Sequence, residues 1–536
     1  MTKTFPAPMK FGFDEPLRFE GEIVDLEVLE GEVPADLEGL YTQAVPDYQY
    51  APVSDILYPM DLGAGGDGMV RGFRFGKGRV NFATRYVKTE RFKAQREAGR
   101  GLFGQYRNPY SDDPDAVGID RTTANTMINY HAGVLLAAKE DGPSYAVDPV
   151  TLDTIGVWNA DGAITSKTLT AHPKFDPETG EMFTFGYFAD GVGSLTIRYY
   201  VVDASGKVTH ETSFDAPEPW MIHDCAVTPN YFLVPLMQYG TDEERIKAGG
   251  PFWVHEPDGE MIVGLLPRYG KGEEVRWLRG PKCVLTHTAN AFEEDGLIKF
   301  DVLRVDGNAF GFAVPDKDGK GGAFGSAPTQ LVRWTIDPRS NNDRIEQCHS
   351  FGVVKGEGAH IDERWATKKQ RFLWLPELKK DTATDPDPHA GDDPLSRPLD
   401  GPPPMPVMPG AFPGAIPARG GPLGPPPGNE HGSSPTMFNA ISFFDLDTGE
   451  KRQWYAGDDT SLQDPVFCPR SADAAEGDGY IVVVRNRRGV RGGELVVLDA
   501  KNVQAGPLAV LNVPVPLRLG IHSTWLPAYR LAKGAA

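Results

Sequence analysis

Cysteine is almost missing from this chain. Its four residues, Cys225, Cys283, Cys348 and Cys468, lie far apart and form no C-x-x-C pair. That excludes a zinc knuckle and a thioredoxin-like motif and leaves four free thiols as the expectation. Basic clusters are missing too. With a formal net charge of -20 and no Lys/Arg-rich stretch, the chain has nothing to track a phosphate backbone, so nucleic acid is excluded as a partner. No apolar run is long enough to span a bilayer, and the opening "MTKTFPAPMKFGFDEP" lacks the apolar core of a secretory signal. The expectation is a cytoplasmic protein with no transmembrane segment. Helical periodicity is scarce, with "TERFKAQREAG" and "DEERIKAG" the better candidates.

What the chain does have is a core. Hydrophobic residues at 40% and charged residues at 24% describe a folded globular protein. Short β-branched or alternating runs recur from end to end, among them "LTIRYYVVD", "RFLWL", "YIVVVR" and "ELVVLDA". Between them lie turn clusters such as "DPVTLDT", "DPETGE", "DASGKV" and "DLDTGE". Many short strands at near-regular spacing fit a sandwich, a barrel or a propeller. At 536 residues a propeller of several four-stranded blades fits best, although the repeat is too degenerate to count blades. The chain reads as one all-β domain over 1–536, interrupted at 381–435 by a Pro/Gly-rich stretch with too little to bury for helix or strand. That stretch reads as an inserted loop. Its "PVMPGAFPGAIP" also suits a lid or an arm at an oligomer contact, such as a homodimer.

One motif is a decoy. "GAGGDG", Gly63 to Gly68, satisfies G-x-G-x-x-G, but a dinucleotide site needs a helix immediately afterwards to receive the phosphate. The next residues, "MVRGFRFGKGRVNFATRYV", alternate like a hairpin.

Four of the histidines stand in compact, distinctive settings: "TAHPKF" (His172), "WMIHDCAVTP" (His223), "VLTHTANAFEEDG" (His287) and "LGIHSTWLP" (His522). The rest, His131, His210, His255, His349, His360, His389 and His431, lie in varied settings. A lone histidine is ordinarily a satisfied core or turn residue. Separations this long admit no local cluster, and only a closed ring of repeats would place all four on one axis. Four neutral imidazoles around a divalent ion suit iron, copper or zinc, and an octahedral geometry would leave two positions open, as an oxygen-activating ferrous site requires.

In these four contexts and their order the chain resembles the carotenoid cleavage oxygenases. The likeness runs from "GEIVDLEVLEGEVPADLEGLYTQA" through "GDGMVRGFRF" to "GIHSTWLP", the whole chain apart from the Pro-rich insert. It implies a seven-bladed β-propeller, with loops and short helices capping an axial Fe(2+) held by His172, His223, His287 and His522. It also implies carboxylates that accept the other ring N–H of ligating histidines, here Glu140 in "AAKEDG", Glu357 in "KGEGAHID" and Asp464 in "LQDPVFCPR". Asp464 stands where the family usually has glutamate, so its contact needs either a closer backbone or a bridging water. Arg71 in "GDGMVRGF" stands where relatives often carry histidine, and only structural consequences are expected of it.

The reaction class the resemblance implies is scission of a carbon–carbon double bond by dioxygen. For the olefin, the polar handles are similar to those of the stilbene-cleaving branch, the lignostilbene dioxygenases, which grip a 4-hydroxyphenyl group with a tyrosine and a lysine. Tyr106 in "GLFGQYRNPY" and Lys139, directly before Glu140, take those places. An ammonium beside a phenol favours the phenolate, which pushes electron density onto the olefin. A hydrocarbon carotenoid has no use for a buried lysine. Adjacent strand residues face opposite ways, so Lys139 and Glu140 can both serve one site only at a strand end or bulge. Phe310 and Phe312 in "GNAFGFAVP" share one strand face and suit a flat substrate, or are ordinary core residues. The expected partners are therefore a small phenolic stilbene and O2, the products two aromatic aldehydes, and no organic cofactor is needed. The rivals are a carotenoid or apocarotenoid dioxygenase, a propenylphenol (isoeugenol-type) monooxygenase, and a binding propeller whose four histidines do not converge.

Overall fold

The computed structural model describes residues 16–54, 56–57, 65–310, 328–379, 416–417, 438–487, 490 and 492–531. Phe312 lies outside them. So does the 381–435 insert, except for Ile416–Pro417, whose backbone pairs antiparallel with Ile56–Leu57.

The alternating runs become strands as expected: Thr196–Val202, Phe372–Glu377, Gly479–Arg487 and Gly493–Asp499. The turn clusters between strands share one chemistry. In "DPETGE", "DASGKV" and "DLDTGE" the leading aspartate (Asp176, Asp203, Asp445) accepts backbone N–H groups of the turn, and Gly180, Gly206 and Gly449 close it at positive φ of 73°, 90° and 73°. "DPVTLDT" puts Leu152 at φ 62° instead, and the buried side chain packs against the core near Leu40 and Tyr145.

Among the described residues these hairpins assemble into seven antiparallel blades, apart from the two-stranded pair of Ile416–Pro417 with Ile56–Leu57. In chain order, the first blade contains Gly39–Asp47, Asp67–Gly76 and Arg79–Tyr86 and is completed by the late strand Ser523–Pro527. The second spans Met127–His131 to Thr154–Trp158, the third Lys174–Phe175 to Val208–Asp215, the fourth Trp220–Met221 to Arg276–Arg279, and the fifth Val284–Glu294 to Gln347–Val354. The sixth has three named strands from Phe372–Glu377 to Glu450–Tyr455, and residues 356–360 run beside the first of them, bridged at Gly356–Glu377 and His360–Trp374. The seventh, Thr460–Leu462 to Pro507–Val513, takes in the early strand Val28–Gly31. Both ends of the chain thus close the ring: an early strand joins the last blade and a late strand the first.

Aromatic and branched residues of neighbouring sheets interlock between blades; Tyr41, Phe73 and Phe82 of the first meet Val482, Leu495 and Val497 of the seventh. The inner strands touch one another around the middle, Ser523–Pro527 lying beside both Met127–His131 and Val466–Pro469. The decoy motif runs into the strand Asp67–Gly76 with no helix after it. Both helix candidates form. Glu90–Ala98 is capped by Thr89 and ended by Gly99 at φ 65°, and the short Glu243–Lys247 is capped by Asp242. The four cysteines are free, and among the described residues no helix is long and apolar enough to cross a membrane.

Candidate active site

The four histidines singled out from sequence converge. His172 and His223 lie just before the inner strands Lys174–Phe175 and Ala226–Val227, and His522 just before Ser523–Pro527. His287 lies within Val284–Glu294, where the pairing shifts register between Leu285 and Thr288. One ligand atom from each falls within 4.8 Å of the others. The ring of His172 is edge-on to those of His223, His287 and His522, with centroids 4.6, 5.1 and 4.6 Å away.

The electrostatics suit a cation. Burial, reinforced by the neighbouring imidazoles, holds His172 and His522 well below the usual histidine range, so both are neutral and present lone pairs. His172 Nε2 is buried without a hydrogen-bond partner, while His223 Nε2 and His287 Nε2 approach to 2.9 Å. An orphaned buried nitrogen facing three like donors is what an all-nitrogen divalent site looks like, and the donor set fits ferrous iron.

Carboxylates orient two of the rings from behind. Glu140 Oε1 pairs with His223 Nδ1, and its Oε2 accepts from Tyr187 Oη at 2.8 Å. Glu357 Oε1 pairs with His287 Nδ1 at 2.6 Å and both its oxygens accept from Thr286 Oγ1 at 2.8 Å. Burial works to raise both carboxyls, but the histidine partners prevail and hold them below the ordinary glutamate value. Asp464 behaves differently. Its Oδ2 stands 3.9 Å from His522 Nδ1, outside hydrogen-bond reach, so the backbone does not come close enough to make up for the shorter side chain.

Tyr106 and Lys139 also lie close together. Lys139 and Glu140 directly follow the strand Val134–Ala138, the strand end that their joint use requires. Lys139 is 2% exposed, its Nζ donates to Asn125 Oδ1 at 2.9 Å and sits 5.1 Å from the centre of the Tyr106 ring. Burial, only partly offset by Asp141 and Glu140, lowers Lys139 to about 8, while burial pushes the Tyr106 hydroxyl up, so that it stays a phenol. A small cavity opens here, lined by Tyr106 and Lys139 together with Arg91, Arg107, Thr123 and Asp141. Thr123 Oγ1 is buried in it without a hydrogen-bond partner. Phe310 reaches the histidine cluster, its ring edge-on to His223 at 5.9 Å. Arg71 serves structure, donating to Gln43, Gln463 and the Arg518 carbonyl.

Sequence reasoning missed several participants. Arg107 donates to Tyr187 Oη at 2.7 Å and to the Glu140 carbonyl at 2.9 Å, and so ties the Tyr106 loop to the support of His223. Its φ of 54° is unusual for a non-glycine residue, and adjacency to Tyr106 in "GQYRNPY" was the only available signal. Asn125, Tyr187 and Thr123 carried none. His360, grouped with the scattered histidines, sits beside Asp464.

The sequence profile of the retinal pigment epithelial membrane protein (RPE65) family matches residues 14–527. Isoeugenol monooxygenase of Pseudomonas nitroreducens is 36% identical over 522 residues, 97% of this chain and 98% of that protein. Lignostilbene-alpha,beta-dioxygenase isozyme III of Sphingomonas paucimobilis is 36% identical over 524 residues, 97% of each chain. The crystal structure of Pseudomonas brassicacearum lignostilbene dioxygenase superposes with a TM-score of 0.84 at 36% identity, covering 98% of this chain and 100% of that one.

Proposed function

The chain belongs to the RPE65 family, that of the carotenoid cleavage oxygenases, and on that premise we propose that it is an iron(II) dioxygenase cleaving the central double bond of 4-hydroxystilbenes to two aromatic aldehydes. His172, His223, His287 and His522 would hold a ferrous ion, whose chemistry when bound is the activation of dioxygen. Glu140 and Glu357 keep their histidines in the tautomer that turns Nε2 inward, by taking the proton-bearing Nδ1.

The observation that carries the substrate class is the buried pocket around Lys139. An ammonium held at 2% exposure, an aromatic ring beneath it and an unpartnered Thr123 hydroxyl form a receptor for a planar group that bears an ionisable hydroxyl. Lys139 draws the phenol toward phenolate, and the ring relays that electron density to the olefin. Tyr106, kept protonated, donates a hydrogen bond to the same oxygen. The Arg107–Tyr187–Glu140 chain couples the place where the phenol is held to the place where His223 is held, so the olefin is registered against the metal by protein hydrogen bonds.

The similarity to an isoeugenol monooxygenase at the same 36% identity favours a second reading, a propenylphenol substrate gripped by the same handles. Product analysis separates the two. Aerobic reaction of the iron-loaded protein with a 4-hydroxystilbene should give two aromatic aldehydes in equal amounts. Faster conversion of isoeugenol to one aromatic aldehyde plus acetaldehyde would transfer the assignment to the propenylphenol.

A further inference from the structure

We infer that His360 is a positioning residue for the metal centre, holding Asp464 so that this short carboxylate can take its place behind His522. The inference builds on the four-histidine metal reading above.

Glu140 and Glu357 reach their histidines directly, whereas Asp464 does not. The 3.9 Å between Asp464 Oδ2 and His522 Nδ1 is too long for a direct hydrogen bond. A water joining the two groups at ordinary hydrogen-bond lengths would have to bend to roughly 90°, well inside its preferred angle. His522 therefore meets Asp464 as a fixed negative charge, and the direction of that carboxylate matters. Two donors set it: the Ser523 amide on Oδ2 at 2.7 Å and His360 Nε2 on Oδ1 at 2.8 Å. The Asp464 backbone is pinned as well, its carbonyl accepting from Tyr41 Oη at 3.1 Å and Ser523 Oγ at 3.0 Å. The aspartate cannot slide toward His522. Rotation of its carboxylate is the freedom left, and His360 removes it.

The chain is built to deliver His360 there. Residues 356–360 lie along Phe372–Glu377, and His360 exchanges backbone hydrogen bonds of 2.8 Å with Trp374 in both directions. This one short stretch turns Glu357 toward His287 and His360 toward Asp464, so it supports two metal-facing histidines on different blades. The turn between them uses Gly358 at φ 71°, and a side chain there would meet Asp464 Oδ1 at 3.3 Å. A glutamate at 464 would carry one more methylene, roughly 1.5 Å of additional reach, and would need no lateral prop.

The test uses the full chain as wild type, His360→Ala, Asp464→Glu and the double variant. Two quantities are read: ferrous affinity by chelator competition, and the electron paramagnetic resonance line shape of the nitric oxide adduct. His360→Ala should weaken iron by about 10- to 100-fold, the usual cost of losing an outer partner, and alter the line shape. Adding Asp464→Glu should restore both. Wild-type affinity and line shape in His360→Ala would overturn the inference, as would a loss that Asp464→Glu leaves unrepaired, since that marks a merely structural role. If His360→Ala does not fold, His360→Gln keeps a donor toward Asp464 and should retain iron and the wild-type spectrum; failure to do so overturns the inference equally. A wild-type protein that binds no iron refutes the metal reading itself, and the role of His360 with it.

Discussion

The two halves of the site solve opposite electrostatic problems. Around the centre of the ring, four imidazoles turn nitrogen atoms toward one another, and burial keeps His172 and His522 neutral. At the pocket, burial surrounds charge: Lys139, Arg91 and Arg107 line one cavity with Asp141. The scaffolds differ in the same sense. Each imidazole stands on or beside an inner strand of a different blade, where neighbouring sheets fix it, whereas Tyr106 and Lys139 come from a loop and a strand end. On the proposed reading, metal binding falls to the most constrained part of the fold and choice of olefin to a loop and a strand end, which the Arg107–Tyr187–Glu140 chain still ties to His223.

Three substitutions sharpen that division. His172→Ala removes one of the four proposed ligands, so iron content by elemental analysis and turnover on every olefin should fall to background. Lys139→Met should leave iron content unchanged while kcat/KM for a 4-hydroxystilbene drops by about 10²-fold or more, the scale of a lost proton-transfer or charge partner. Loss of iron in Lys139→Met would break the division outright. Glu140→Gln replaces the partner of His223 Nδ1, and ferrous affinity should weaken by about 10- to 100-fold in a chelator titration.

The smallest effect is on stability. Burial lowers Lys139 to about 8 from its ordinary 10.5, so between these values the unfolded chain binds more protons than the folded one, and stability gains as pH rises. Below pH 8 the buried ammonium carries its full cost, on the order of 3 kcal/mol at 1.36 kcal/mol per pH unit. Lys139→Met should therefore be more stable than wild type in urea at pH 7, with the gap closing from pH 8 to about 10.5. A gap independent of pH would assign the difference to packing instead.

Local chemistry was legible in the sequence, and long-range assembly only in part. Strands, Asp-led turns and both helices follow from periodicity and turn residues, because each is decided within a few positions. The blade count does not. The first and seventh blades borrow strands from opposite ends of the chain, and among the described residues the fourth sheet has six strands and the sixth three, so no regular repeat survives. The four histidines could be grouped because their contexts matched known motifs, and Lys139 with Glu140 because adjacency demanded a strand end. Asp464 drew attention as a shortened side chain, yet nothing in "GEGAHID" announced that His360 meets it across a sequence separation of 104 residues. Arg107, Tyr187 and Asn125 likewise act through contacts that exist only after the blades have closed.

The central claim is that Lys139 and Tyr106 select a phenol for a metal-centred cleavage. Its most direct test is aerobic turnover of the iron-loaded protein on a 4-hydroxystilbene beside its 4-methoxy ether, with Lys139→Met in parallel. Cleavage of the phenol alone, lost in the variant at unchanged iron content, is the expected result; equal cleavage of phenol and ether by the wild-type protein would rule out selection by these two residues.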